Sequence, residues 1–229
     1  MHWLERWLIA PQSVLSNAPA DDLDLTAEEI RALSRPYAIC PRCAEASFDG
    51  NLCGTCLHQP PAFQQATVAF YFHEPITRLI YDLKYHRQAS HARLLAELFL
   101  AEVGETLRQQ QVQALVPVPI HPLRRRQRGY NQALLLAQAL SRGLQIPVLD
   151  KGLRRVKNTV AQTHLDAKQR HNNLQGAFAI VDGAFDGLQR IALVDDVMTT
   201  GATMQQIAVL LAEHSTLEFI AAWAIAKTE

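Results

Sequence analysis

At 229 residues and 48% apolar content the chain is long enough for one full α/β domain with a small appendage. It holds no apolar run of membrane-spanning length, and Met1 to Pro11 carries charges inside its apolar patch without a basic leader or small-residue cleavage site, so no membrane span is expected and the chain reads as cytoplasmic. The formal charge of zero is unevenly spread: residues 1–60 set four arginines against eight carboxylates, and residues 120–175 set eleven cations against two, so polyanions should prefer the middle of the chain.

In chain order, Trp3, Leu4, Trp7 and Leu8 share one face of a short structural helix, and Thr26 with Glu29 forms a capping box that opens a second one. Cys40-Pro-Arg-Cys43 and Cys53-Gly-Thr-Cys56 then commit every cysteine to two C-x-x-C knuckles. Thiolate pairs at that spacing supply a closed tetrahedral site, which favours structural Zn²⁺; an iron–sulfur centre is the residual alternative, while a pair of disulfides or a redox pair fits the compartment and pattern less well. The negative charge around the cysteines makes this module a scaffold rather than a nucleic-acid contact.

A Pro-containing linker, His58 to Ala62, leads into a strand at Ala66–Phe72, and from there helix and strand patterns alternate. Pro75 starts a helix whose stripe is Ile76, Leu79, Ile80 and Leu83; Lys84 at its end either complements the helix dipole or reaches a phosphate. A second helix covers His91 to about Leu107. Ala114 to Pro119 reads as a strand that proline ends in a loop. The basic run Leu123-Arg-Arg-Arg-Gln-Arg-Gly-Tyr-Asn-Gln precedes a helix through Ala133 to Leu140. Arg124, Arg125, Arg126 and Arg128 there would grip a pyrophosphate by bidentate bonds, or else form a solvated or nucleic-acid-binding face.

Leu153 to Phe178 is the longest stretch weak in apolar residues; it carries Arg154 and Arg155 and reads as a lid-like loop with a short helix from Asp166, in which His164 and His171 are surface residues. Strands follow at Ala177–Val181, Ile191–Val194 and Phe219–Ala226, with a helix at Met204–Glu213 between the last two. The whole is expected to be an α/β, doubly wound parallel sheet.

Ile191 to Thr203 carries the strongest signal. An apolar strand runs into Asp195-Asp196 and then Thr199-Thr200-Gly201-Ala202-Thr203 at a helix start, so backbone N–H groups, hydroxyls and a helix dipole converge on a point that suits a phosphate. The two carboxylates suit vicinal hydroxyls, and the composite ligand is a ribose 5-phosphate. No Walker A lysine and no three-glycine fingerprint is present.

This stretch resembles the phosphoribosyl pyrophosphate (PRPP) loop of type I phosphoribosyltransferases. The four cysteines, Val116-Pro-Val-Pro, Arg128-Gly-Tyr-Asn-Gln, Arg154-Arg155 with Thr159 and Gln162, Arg170-x-x-Asn-Leu-x-Gly-Ala-Phe and the Asp195-Asp196 segment stand in an order that resembles the ComF family of competence proteins, with its GntX-like DNA utilization branch. The residues themselves give an N-terminal helical segment over 1–36, outside the family's motifs; the resemblance implies a Cys₄ zinc module over 37–62 and a type I phosphoribosyltransferase-like domain over 63–229, with a link to uptake or use of external DNA. It implies Asp195 and Asp196 on the ribose, Thr199 to Thr203 on the 5-phosphate, and Arg124, Arg125, Arg126, Arg128, Arg154 and Arg155 near the pyrophosphate, with Mg²⁺ accompanying PRPP. Two expectations stay open: a transferase moving phosphoribose to an unknown acceptor, and a non-catalytic module that holds single-stranded DNA, with PRPP as regulator or vestige and DNA-uptake or recombination proteins as partners.

Overall fold

A computed structural model describes residues 12–20, 23–157, 176–214 and 216–229. The helix expected over Trp3 to Leu8, Thr159, Gln162, His164, Arg170, His171 and the helix expected from Asp166 lie outside them.

The core is a four-stranded parallel sheet in the order β1 (Gln65–Tyr71), β6 (Phe219–Lys227), β5 (Arg190–Met198), β2 (Ala114–Pro117). Continuous apolar runs form these strands because both faces are covered. Alternation divides the side chains: Ala192, Val194, Ala221, Trp223 and Ile225 face one core, and Ile191, Leu193, Ile220, Ala222 and Ala224 face the other. Helices α3 (Ile76–Tyr85), α4 (His91–Gln109) and α6 (Gln132–Leu144) fill the first side with Leu79, Leu95 and Leu136. The second side holds α7 (Ala202–His214) through Ile207, Ala208 and Leu211, together with an antiparallel ribbon of β3 (Leu153–Arg155) and β4 (Phe178–Ile180). The fold is therefore the doubly wound α/β arrangement that the sequence pattern implies, with a four-cysteine cluster ahead of the sheet. A buried polar chain threads the core: Trp223 Nε1 donates to Gln110 Oε1 at 2.6 Å, and Gln110 Nε2 donates to Thr67 Oγ1 at 2.9 Å.

The capping box forms at α1 (Ala27–Arg31): Thr26 Oγ1 accepts from the Glu29 N–H and Glu29 Oε2 from the Thr26 N–H. Leu25 and Leu33, on either side of it, plug into the first core. A one-turn helix, α2 (Gly54–His58), starts inside the second cysteine knuckle, with Cys53 at its N-cap and Cys56 within it. The basic run departs from expectation. Pro122–Arg128 is a helix, α5, entered through Pro122 at its first turn and closed by Gly129 in the left-handed region at φ 89°. No described helix is long and apolar enough to cross a membrane.

Candidate functional site

The helices that follow the neighbouring strands β2 and β5 leave on opposite sides, α6 into the first core and α7 into the second. That divergence opens a crevice at the carboxyl ends of these strands, the place where doubly wound sheets bind ligands. Pairing of β2 with β5 stops at Pro117 and Val194, whereas β6 accompanies β5 to Met198. Asp195 and Asp196 thus lie inside the strand, beyond the expected end at Val194, and among the described residues no strand pairs with them on the β2 side.

Being consecutive in a strand, they turn to opposite faces. Asp196 is 3% exposed and takes the α3 side, where Lys84 Nζ stands 2.9 Å from its Oδ2 and its Oδ1 accepts from the Val197 N–H at 2.8 Å. Lys84 thus meets a carboxylate, a role that the helix-end position alone left open. Asp195 accepts from the Asp196 N–H at 2.9 Å and takes the β3 side. Burial, and then the Asp196 charge, push its carboxyl up to about 7, with Lys84 opposing.

Across the crevice the basic residues sort themselves. Arg124 and Arg128, one helical turn apart on α5, are half-buried, while Arg125 and Arg126 are exposed. On β3, Arg154 points to solvent and Arg155 inward, with its guanidinium 5.4 Å from the centre of the Phe178 ring. The Arg155 pKa is lowered, first by burial and then by the Arg124 charge, and Asp195 acts against both. Arg124 is lowered by burial and then by Arg128. Arg124 thus repels both Arg128 and Arg155, and Asp195 attracts Arg155, an arrangement whose repulsion an anion would relieve.

The Arg128-Gly-Tyr-Asn-Gln motif builds this corner. Arg128 Nη1 donates to Gln132 Oε1 at 2.9 Å, the Tyr130 hydroxyl donates to the Leu83 carbonyl at 2.5 Å, and Asn131 both caps α6 at the Ala133 N–H and donates to the Val118 carbonyl at 3.1 Å.

Thr199 to Gly201 form the turn between β5 and α7, and Ala202 and Thr203 open the helix. Gly201 has φ 71°, which a side chain would strain. Sequence reasoning missed what holds this turn. Lys227 is the lone charge in the last strand and 4% exposed; its ammonium donates to Glu45 Oε1, to the Thr199 carbonyl and to the Thr228 carbonyl. A lysine ending an otherwise apolar buried strand was the available signal.

Apart from this crevice, the Sγ atoms of Cys40, Cys43, Cys53 and Cys56 lie within 4.8 Å of one another. Cys43 and Cys53 are 3.6 Å apart at sulfur, too far for a disulfide. A tetrahedral zinc ion, about 2.3 Å from each sulfur, spaces thiolates by about 3.8 Å, so the donor set fits a metal such as zinc. Burial raises the Cys40 thiol, but N–H groups of Cys53, Cys43 and Arg42 outweigh it and bring it down to about 7. Burial pushes Cys43 up to about 11 and Cys56 higher still.

No family model matches the chain. Among curated proteins it is 39% identical over 199 residues to competence protein F of Haemophilus influenzae, covering 85% of this chain and 86% of that one. It is 34% identical over 202 residues to DNA utilization protein YhgH of Salmonella typhimurium, covering 86% and 88%. Competence protein ComFC of Bacillus subtilis matches at 27% over 118 residues, 50% of this chain and 44% of that one. Among solved structures, a purine phosphoribosyltransferase from Pyrococcus horikoshii aligns with a TM-score of 0.33 and 16% identity over 57% of this chain and 80% of its own.

Proposed function

The chain belongs to the family of competence protein F and DNA utilization protein YhgH, and from that premise we propose that it binds PRPP in the crevice beyond β5 and transfers phosphoribose within the use of external DNA. The observation that carries this reading is the opposition of Asp195 to Arg155, with Arg124 next to Arg155, where β5 leads into the Thr199–Gly201 turn.

In this reading the turn and the first N–H groups of α7 hold the 5-phosphate, with the Thr199, Thr200 and Thr203 hydroxyls beside them. Asp195, ionised, accepts from the ribose hydroxyls, while Asp196 stays with Lys84 and fixes the strand end. Arg124, Arg128 and Arg155 hold the pyrophosphate. The bond from ribose C1 to the pyrophosphate oxygen breaks as the acceptor's lone pair bonds to C1, and the electron pair departs with pyrophosphate against those guanidiniums. Mg²⁺ carried in with PRPP supplies further neutralisation of the leaving group. Zn²⁺ in the four-cysteine cluster has a structural part only, since four thiolates leave no open position.

Calorimetry with Mg²⁺-PRPP tests the reading. Wild-type protein should bind, and Asp195→Asn should weaken binding about tenfold or more, because a charge-assisted acceptor becomes an amide. A wild-type protein that ignores millimolar PRPP sinks it.

A second reading, a single-stranded DNA module, has its own observation. Tyr81 and Tyr85 of α3 are 53% and 56% exposed with ring centres 4.8 Å apart, and the Arg128 guanidinium lies 5.3 Å from the Tyr85 ring. Aromatic faces beside guanidiniums suit unpaired bases. Loss of oligonucleotide binding in Tyr81→Ala with Tyr85→Ala, PRPP binding being kept, favours this reading.

A further inference from the structure

We propose that Lys227 is a positioning residue that aims the phosphate-binding turn by tying it to the cysteine module, a role that rests on the reading of Thr199 to Thr203 as a phosphate site. A buried ammonium must satisfy its donors, and Lys227 Nζ reaches three oxygens: Glu45 Oε1 at 2.8 Å, the Thr199 carbonyl at 2.9 Å and the Thr228 carbonyl at 3.3 Å. The middle contact decides the geometry of the turn. A trans peptide is planar, with its C=O and the next N–H pointing oppositely, so a Thr199 carbonyl drawn inward to Lys227 turns the Thr200 N–H outward toward the ligand. The ammonium also places positive charge behind the peptide whose donor would face the phosphate.

The other end of the tether is fixed by the knuckle. The Glu45 carbonyl accepts from the Cys40 N–H at 2.7 Å and the Cys40 carbonyl from the Ala44 N–H at 2.8 Å, so the turn that carries two thiolates also sets Glu45. A second strap runs in parallel. Arg42 donates to the Pro61 carbonyl, the Ala62 N–H donates to Gln205 Oε1 in the first turn of α7 at 2.7 Å, and the Phe63 ring closes on Gly201. Both straps begin at the module and end on the phosphate turn or on the helix it opens. The module thus serves the site mechanically, without contributing a ligand to it.

The test compares Lys227→Met, which keeps stem volume, with Glu45→Gln, a change at a half-exposed side chain that keeps an acceptor. Ribose 5-phosphate is the probe. In Lys227→Met its affinity should fall about tenfold, the cost of losing one charge-assisted bond, and in Glu45→Gln about threefold. Amide NMR of the ligand-free proteins should show the Thr200 N–H resonance moved and its hydrogen exchange faster in both variants, with zinc content unchanged. Unmoved Thr200 amides in folded variants overturn the proposal whatever the wild type binds. If wild-type protein ignores ribose 5-phosphate yet the Thr200 amide moves in the variants, Lys227 still sets the turn and the phosphate-site reading is what fails. Should Lys227→Met not fold, Glu45→Gln decides by the same two measurements.

Discussion

Asp195 and Asp196 are neighbours in sequence with opposite consequences for stability. Asp195 has a folded-state pKa of about 7 against an ordinary 3.8, so between those values the native protein holds a proton that the unfolded chain has released. Stability from this group is therefore largest in acid and declines as pH rises from about 4 to about 7, and above that its ionised form is a standing cost. Asp195→Asn should consequently raise Tm at pH 8 by about 2–4 °C, the shift expected for roughly 1 kcal/mol in a chain of this size, and change little at pH 5. Asp196→Asn should do the reverse. It strips the ion partner from Lys84, whose side chain is one-fifth exposed, and a loss of about 2 kcal/mol, discounted for that exposure, corresponds to a Tm lower by about 4–8 °C. Thermal melts of both variants at the two pH values check this; equal shifts in one direction would show that the acids do not face different surroundings. PRPP affinity should also climb between pH 6 and pH 8 as Asp195 ionises, a trend calorimetry reads directly. Adjacent acids were plain in the sequence, but their division between faces was not, because it depends on β5 continuing to Met198 beside β6.

At the scale of elements, α5 converts a run of charge into two surfaces. A loop would leave all four guanidiniums equivalent, whereas helical spacing brings Arg124 and Arg128 to the crevice and leaves Arg125 and Arg126 in solvent. The signals for this helix were in the chain, Pro122 at its start and Gly129 at its end, and the density of charge obscured them. The four, expected together near the pyrophosphate, differ in exposure, and the consequence of that difference can be measured. Arg124→Ala or Arg128→Ala should weaken PRPP binding about tenfold with a minor effect on DNA. Arg125→Ala with Arg126→Ala should spare PRPP and lower the salt slope of single-stranded DNA binding by about 1.4, since each phosphate contact on a single strand contributes about 0.7. PRPP affinity falling equally in the two sets would mean that the helix does not present distinct faces. The strands and long helices were legible because their apolar periods are long; α5 and β5's last four residues were obscure because tertiary partners, more than periodicity, define them.

Across the whole molecule, the N-terminal residues are fastened to both sides of the sheet. Leu25 and Leu33 enter the core beside α3 and α4, and Asp24 and Arg35 pair with Arg93 and Glu102 of α4. Glu45 meets Lys227 across 182 positions of sequence, a contact that no local pattern announces. A chain read from its residues divides at the linker near Pro60, yet Ala62 and Phe63 are where the cysteine module grips α7 and Gly201. The metal proposed for the four thiolates would then stiffen more than its own loop. Purified protein should carry about one Zn²⁺ per chain, and Cys53→Ser, by removing one of four ligands, should lower that content. Hydrogen exchange should quicken in residues 37–62 and, through Lys227 and Gln205, in residues 199–205, while α4 and α6, whose contacts lie in the other core, keep their protection. Ribose 5-phosphate affinity should fall together with zinc. If exchange rises in the cysteine module alone and affinity holds, the straps do not transmit order to the phosphate turn; if four free thiols titrate in metal-free protein with native exchange throughout, the cluster does not need a metal to stand.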